Sequence, residues 1–415
     1  MKLKGSFKAP GDKSISHRIA LFSLLGRGRM QVSNFSPCAD CASSVKAVNL
    51  LGGEAHLYGD MLSIKGSQGE IKNSRVDCGN SGTTMRLLMG LLAGRPGEFS
   101  LDGDESLRKR PMQRVADPLE QMGAELICQK GNAPILIKGK ELMACDHTLN
   151  VASAQLKSAL LLAGLQARGV TTVKEPAQSR DHTERLLTQC KASCKGRGQT
   201  WQVAQSELDL PERYWIPGDI SSAAFFITAA LINSESQIVA EDVLLNPTRI
   251  GFLKVLLRMG ADLKIEQKGK HPEPWGRVTA SYTPKLEACE IKAEEIPLMV
   301  DEVPILALAA SQAQGVTIFR QVGELRIKES DRISAICTQL SALGVDMRVK
   351  DDDLLVTGPA RLKQVDELDS FGDHRIAMTL AIACALAENQ AKIKKMESAA
   401  ISYPGFQNTL NGLMA

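Results

Sequence analysis

The acidic side chains best suited to chemistry in this sequence stand among cations. Asp301 and Glu302 interrupt the apolar stretch IPLMVDEVPILA (296–307), and ELRIKESDRI (324–333) gathers Lys328, Glu329 and Arg332. A carboxylate with apolar neighbours must be paired, or must hold its proton more tightly than usual, and the second state suits proton transfer. A third group, Asp373, His374 and Arg375, stands before the apolar run of FGDHRIAMTLAIACALA (371–387). Charges at the mouth of a buried helix are costly to desolvate without a partner. Either the fold pairs them internally or a charged ligand does.

Other basic and polar clusters also sit at expected helix starts. PGDKSISHR (10–18) supplies Lys13, Ser14 and Arg18, a point-charge anion binder and a bidentate clamp. DCGNSGTTMRLL (77–88) is a polar turn in which Asn80, Gly82, Thr83 and Arg86 would let backbone N–H groups approach a ligand. It lacks the GKS/T ending of a nucleotide-binding P-loop. DESLRKRPM (104–112) puts Arg108, Lys109 and Arg110 before a proline expected to start an outer helix. SAQLK (153–157) and QSRDHTERLL (178–187) add hydroxyls, an amide and Arg180, which suit a polyhydroxylated substrate. Each cluster alone is equally well explained by a capped helix, a solvated basic face or a structural ion pair. Their joint recurrence at equivalent helix starts favours ligand binding.

The elements that must position these residues repeat along the chain. A nearly apolar helix with a small polar start occurs at 11–25, 79–94, 153–165, 219–232, 301–313 and 373–387. Such a helix is buried on all sides. Between these runs lie amphipathic helices ending in Gly or a small residue and followed by alternating strands, as in VKAVNLLGGEAHLYGDMLSIKG (45–66) and LKVLLRMGADLKIEQKG (253–269). The pattern recurs at intervals of roughly 70 to 80 residues, with a truncated last copy, YPGFQNTLNGLMA (403–415). Each repeat reads as strand, buried helix, strand, outer helix, hairpin, and six repeats suggest two pseudo-symmetric domains. Helix N-termini carry unpaired N–H groups and partial positive charge. Several of them aimed at one cleft would trap a multiply anionic substrate set.

Composition narrows the alternatives. The chain has 415 residues, a net charge of +3 without a polybasic tract, and only 4% aromatic residues, which disfavours a nucleic-acid surface. No apolar run reaches membrane-spanning length, and MKLKGSFKAPGDKS lacks an apolar leader core, so a cytoplasmic protein without membrane or nucleic-acid partners is expected. The ten cysteines read as reduced thiols. PCADC (37–41) and the Cys190/Cys194 pair lack the four convergent ligands of a zinc site, so no metal is expected.

PGDKSISHR, GNSGTTMR, RKRPM, SAQLKSA, RDHTE, DE.P, LR.KESDR and GDHRIAM follow one another in this order over nearly the whole chain. As a set they resemble the EPSP synthase (3-phosphoshikimate 1-carboxyvinyltransferase) family. The resemblance implies an α/β fold of two pseudo-threefold domains in an inverted barrel, each of three β-α-β-α-β-β units. Residues 12–218 would form the second domain, and residues 1–11 with 219–415 the first, with the active site in the cleft between them. It implies a cofactor-free, monomeric enzyme that joins phosphoenolpyruvate to the 5-hydroxyl of shikimate 3-phosphate through a tetrahedral ketal and releases phosphate. By the same resemblance Lys13, Asn80, Gly82, Thr83, Arg110, Gln155, Arg332, His374 and Arg375 would hold phosphoenolpyruvate. Lys13, Ser14, Arg18, Ser153, Ala154, Gln155, Ser179, Arg180, Asp301 and Lys328 would hold shikimate 3-phosphate. Asp301 would accept the hydroxyl proton, Glu329 would move the proton at C3, and Lys13 is a further proton-transfer candidate. Asp373, His374 and Arg375 would then be left unpaired for the second substrate.

Some positions depart from the better-known branch of that family. Ile401 stands where a Lys is expected, Ala154 where a second Ser is expected, and His182 where a Tyr is expected. GDKS, SAQLK, RDHTE and NPTR (246–249) instead resemble the second branch, known for tolerance to glyphosate. Tolerant members often carry Ala where this chain has Gly82, so glyphosate is expected to inhibit, with partial tolerance at most. A UDP-N-acetylglucosamine enolpyruvyl transferase would carry a Lys-Asn pair near its start and a loop Cys. Here Ser14 follows Lys13, and 104–112 has no Cys. A non-catalytic anion binder is the remaining rival, but it would gain nothing from acids placed beside anions.

Overall fold

Side chains without a polar face build helices that have no solvent side. Every residue of Ile220–Ile232 and of Val303–Ala310 is buried, as are the first eleven of His374–Leu386. A computed structural model describes residues 2–67 and 71–414. Among these residues such inner helices alternate with one-sided outer helices. Gln113–Gln121, for example, buries only Val115, Ala116 and Leu119. This last helix begins two residues after Pro111, later than the sequence suggests, with Met112 as its N-cap.

Each repeat but the last closes a small mixed sheet. Ser74–Asp77 and Gly97–Asp102 pair in parallel across the inner helix Gly82–Ala93. After the outer helix Gln113–Gln121, the hairpin of Glu125–Gln129 and Asn132–Gly139 returns antiparallel onto Gly97–Asp102. Asp146–Thr148, Val170–Lys174, Cys194–Arg197 and Thr200–Ala204 repeat this order around the helices Ala154–Gly164 and His182–Gln189. A parallel pair needs a crossover helix and an antiparallel pair a short turn, so the alternation of helix and hairpin fixes this strand order.

Two repeats borrow their first strand from a distant part of the chain. Arg213–Trp215 pairs in parallel with Arg29–Ser33, and Lys4–Lys8 pairs in parallel with Gln237–Leu244. The chain accordingly divides into two compact units, Gly11–Ile216 on the one hand and Met1–Pro10 with Pro217–Ala415 on the other. Both changeover points read Pro-Gly-Asp, at 10–12 and 217–219, and each Asp caps an inner helix. The last repeat ends after the parallel pair Glu367–Asp369 and Lys392–Lys394 and the helix Phe406–Leu413, without a hairpin.

The core of the second of these units ties its ends together. Phe7 of the borrowed strand lies 4.9 Å, centroid to centroid, from Phe226 of an inner helix. Phe226 stacks at 5.2 Å on Phe406 of the last helix. Each such buried ring contributes roughly 1.5–3 kcal/mol. No helix among the described residues is long and apolar enough to cross a membrane.

Candidate active site

The inner helices begin alike. The Asp12 carboxylate accepts from the Ile15 N–H at 2.9 Å, Ser81 Oγ from Thr84 at 3.1 Å, and Ser153 Oγ from Leu156 at 3.4 Å. In the other unit the Asp219 carboxylate accepts from Ser221 and that of Asp373 from Arg375, both at 2.8 Å. The sixth, Val303–Ala310, has Pro304 near its start and no side-chain cap. Short acceptors satisfy the orphan donors there, so the following residues are held in fixed directions.

In the unit Gly11–Ile216, Lys13 Nζ lies 3.0 Å from Asp40 Oδ2. Arg18 is buried; it donates from Nε to Thr183 Oγ1 at 2.7 Å and from Nη2 to Ser158 Oγ at 2.9 Å. Arg180 Nη1 donates to Ser14 Oγ at 3.4 Å. Ser179 is buried, and among the described residues its Oγ has no hydrogen-bond partner.

A second set surrounds Gly82. Arg110 Nη2 donates to Asn80 Oδ1 at 2.8 Å, and Asn80 donates in turn to Asp104 Oδ2 at 2.8 Å. Arg86 Nη1 donates to Gln155 Oε1 at 2.6 Å, and Gln155 Nε2 donates to Thr83 Oγ1 at 2.8 Å. A Cβ on Gly82 would lie 2.9 Å from Arg86 Nη1 and 3.3 Å from Arg110 Nη1. The glycine thus leaves room between two guanidinium groups. The basic run 108–110 is split by its surroundings: Arg108 forms a double ion pair with Asp102, Lys109 meets Glu105 at 2.7 Å, and only Arg110 is buried.

In the other unit, Arg332 organises the acids. Its guanidinium is fully buried and donates from Nε to Asp373 Oδ2 at 2.8 Å, from Nη1 to Asp301 Oδ1 at 3.0 Å and from Nη2 to Glu329 Oε2 at 2.5 Å. Burial works to lower its pKa, but the three carboxylates outweigh burial and hold it charged. Asp373 also accepts from Ser330 Oγ at 3.1 Å. Asp373 is therefore paired inside the protein, and the expectation that this acid is kept open for a ligand is corrected. Arg332 stands 41 residues away, and its reach was not visible in the sequence.

Arg375 behaves differently. It is buried, its Nη2 is 3.8 Å from Asp301 Oδ2, and its Nε and Nη1 have no hydrogen-bond partner among the described residues. Buried donors left unspent are costly, and an anionic ligand would use them. His374 is buried at the same helix start. Lys328 Nζ lies 3.7 Å from Glu324. Ile401 ends the 3-10 turn Met396–Ile401, and residues 396–405 contain no basic side chain.

Sequence reasoning named Arg86 in the turn 77–88 without its pairing to Gln155, and it did not assign Asp40 or the partner of Asp373. Arg86 lies one helical turn beyond Gly82, and that i, i+4 spacing was the available signal. Asp40 lies inside the CxxC segment, where the cysteines drew attention instead. The role of Asp373 as counter-ion to Arg332 had no local signal.

The fold is a mixed α/β architecture of repeated helix-and-sheet units. The chain superposes on the enolpyruvyl transferase NikO from Streptomyces tendae with a TM-score of 0.81 at 19% identity, covering 99% of this chain and 95% of that one. At that identity the likeness shows the fold alone. A structure of EPSP synthase from Acinetobacter baumannii matches with a TM-score of 0.86 and 35% identity over 99% and 96% of the two chains. The family model described as EPSP synthase (3-phosphoshikimate 1-carboxyvinyltransferase) matches residues 1–410. Relatives named 3-phosphoshikimate 1-carboxyvinyltransferase include one from Geobacillus kaustophilus, 43% identical over 99% of this chain and 98% of its own length. Another, from Desulforudis audaxviator, is 45% identical over 99% of this chain and 97% of its own. The chain belongs to the EPSP synthase family.

Proposed function

We propose that this chain is a 3-phosphoshikimate 1-carboxyvinyltransferase (EC 2.5.1.19) of the shikimate pathway of aromatic amino acid biosynthesis. It transfers the enolpyruvyl group of phosphoenolpyruvate to the 5-hydroxyl of shikimate 3-phosphate. The observation that carries this reading is Arg332, which holds Asp301 and Glu329 on one guanidinium at 3.0 and 2.5 Å. Two carboxylates fixed by one cation are the equipment of a proton-transfer site rather than of a plain anion binder.

Asp301 takes the proton of the 5-hydroxyl as its oxygen attacks C2 of phosphoenolpyruvate. Glu329 delivers a proton to C3, giving the ketal, and later removes a C3 proton as phosphate leaves C2. Lys13, Arg110, Arg332, His374 and Arg375 hold the carboxylate and phosphate of phosphoenolpyruvate, with Asn80, Gly82, Thr83 and Gln155 around it and Arg86 beside them. Ser14, Arg18, Ser153, Ala154, Gln155, Ser179, Arg180 and Lys328 hold shikimate 3-phosphate. Charge developing on the departing phosphate is met by fixed guanidinium donors, which need no reorganisation at that moment.

GDKS, SAQLK, RDHTE and NPTR support placement in the second branch of the family. The room left at Gly82 supports binding of glyphosate in competition with phosphoenolpyruvate. The enzyme acts as a monomer in the cytoplasm. The test is phosphate release from purified protein with each substrate alone and with both, chelator present. Release that needs both substrates and ignores chelator supports the reading, and release from phosphoenolpyruvate alone would overturn it. Indifference to millimolar glyphosate would overturn the inhibitor assignment separately.

A further inference from the structure

Lys157, Glu175 and Glu184 take no part in the reaction as read above, yet their exposures are 0, 1 and 0%. Lys157 Nζ lies 2.8 Å from Glu175 Oε2 and 2.6 Å from Glu184 Oε1. Burial works against the charged ammonium, but the two carboxylates outweigh it and raise its pKa, while burial raises that of Glu184. One ammonium against two carboxylates is a costly object to bury, and apolar residues of equal volume would stabilise a fold as well or better. The cluster is explained by what it holds in place.

Glu175 follows the strand Val170–Lys174, and Glu184 lies in the first turn of the helix His182–Gln189. The segment between them, 176–183, carries Ser179 and Arg180, so one ammonium closes both ends of that segment. Lys157 itself belongs to the helix Ala154–Gly164, whose start carries Ser153, Ala154 and Gln155. Glu175 Oε2 also accepts from the Ser179 N–H at 3.5 Å. Beside the ion cluster, Ser158 Oγ and Thr183 Oγ1 lie 2.6 Å apart, and both accept from Arg18.

We propose that Lys157 is a positioning residue: with Glu175 and Glu184 it forms a clasp that fixes segment 176–183 against the helix start at 153–155, setting the shikimate 3-phosphate side of the site. This rests on the functional reading above. Lys157→Met alone leaves two carboxylates buried without a cation and can fail to fold. The informative protein is therefore the triple variant K157M/E175Q/E184Q, in which no charge remains to be compensated.

The triple variant is expected to fold, to exchange the amide hydrogens of 176–183 about tenfold faster than the unmodified protein, and to show about a tenfold higher KM for shikimate 3-phosphate. KM for phosphoenolpyruvate and kcat should move by less than about threefold, and Lys157→Arg should recover part of the loss. Unchanged exchange and an unchanged KM in the triple variant would overturn the clasp, as would equal shifts in both KM values and kcat. Amide exchange needs no substrate. If the unmodified protein releases no phosphate, the functional reading fails, and the clasp is still decided by exchange at 176–183.

Discussion

Arg332→Lys would keep one positive charge and give up the planar fork that reaches three carboxylates at once. Asp301 and Glu329 would no longer be set by a common donor, and a displacement of about 1 Å at such groups costs roughly a hundredfold in rate. The variant should fold and lose about that much kcat, measured by phosphate release. Glu329→Gln keeps the hydrogen bond to Arg332 but cannot carry a proton, so kcat should fall about 10²–10⁴-fold with little change in substrate affinity by calorimetry. Equal loss of binding and turnover would show that Glu329 only binds. His17 gives a pH prediction. Burial, with smaller contributions from Lys13 and Arg18, holds its pKa well below the usual histidine value. Below about pH 6.5 the unfolded chain therefore takes up a proton that the folded protein refuses, and stability is lost as pH falls, by about 1.4 kcal/mol per pH unit. His17→Asn should flatten that slope in denaturant titrations between pH 7 and 5; an unchanged slope would rule out this residue as its source.

At the scale of elements, the inner helices do two things: they fill the core and aim their first turns. Gly82–Ala93 shows how tightly the first task is done. A Cβ on Gly90 would come within 2.0 Å of the carbonyl oxygen of Ala159 on the neighbouring inner helix, a backbone atom that cannot swing away. Gly90→Ala must therefore push two helices apart. It should cost at least the about 1–3 kcal/mol of ordinary overpacking, read from the denaturation midpoint. The same shift would separate Thr83 from Gln155, so activity should fall with stability. By contrast, Arg86 and Arg110 meet a Cβ on Gly82 only with the ends of flexible side chains. Gly82→Ala should leave stability within about 1 kcal/mol and act instead on phosphoenolpyruvate, raising its KM.

The residues proposed for shikimate 3-phosphate are unequally shared between the two units. Ser14, Arg18, Ser153, Ala154, Gln155, Ser179 and Arg180 all belong to Gly11–Ile216, whereas Asp301 and Lys328 belong to the other unit. Shikimate 3-phosphate alone should therefore stabilise mainly Gly11–Ile216, by about 2.7 kcal/mol at a hundredfold excess over Kd. Amide exchange mapped along the chain would show this as protection concentrated between residues 11 and 216. Equal protection of 217–415 would place the ligand elsewhere.

Local chemistry made much of this legible in advance. A run such as ISSAAFFITAALI has no polar face, so it must be an inner helix wherever it lies, and a preceding Asp or Ser must cap it. The spacing of such runs yields the repeat, and the acids and bases at their starts mark the candidate site. The sequence could not say which charge answers which. Arg108 and Arg110 are two residues apart, yet one is a surface ion pair and the other a buried donor to Asn80. Asp373 looked open, and its partner Arg332 arrives from another repeat; Lys157 drew no notice until Glu175 and Glu184 closed on it. The physical reason is range. Burial and capping depend on neighbours within a turn or two of helix, so residue order alone determines them. Ion pairs and hydrogen bonds across 41 or 72 residues depend on how separately formed helices pack, and only the tertiary structure decides that.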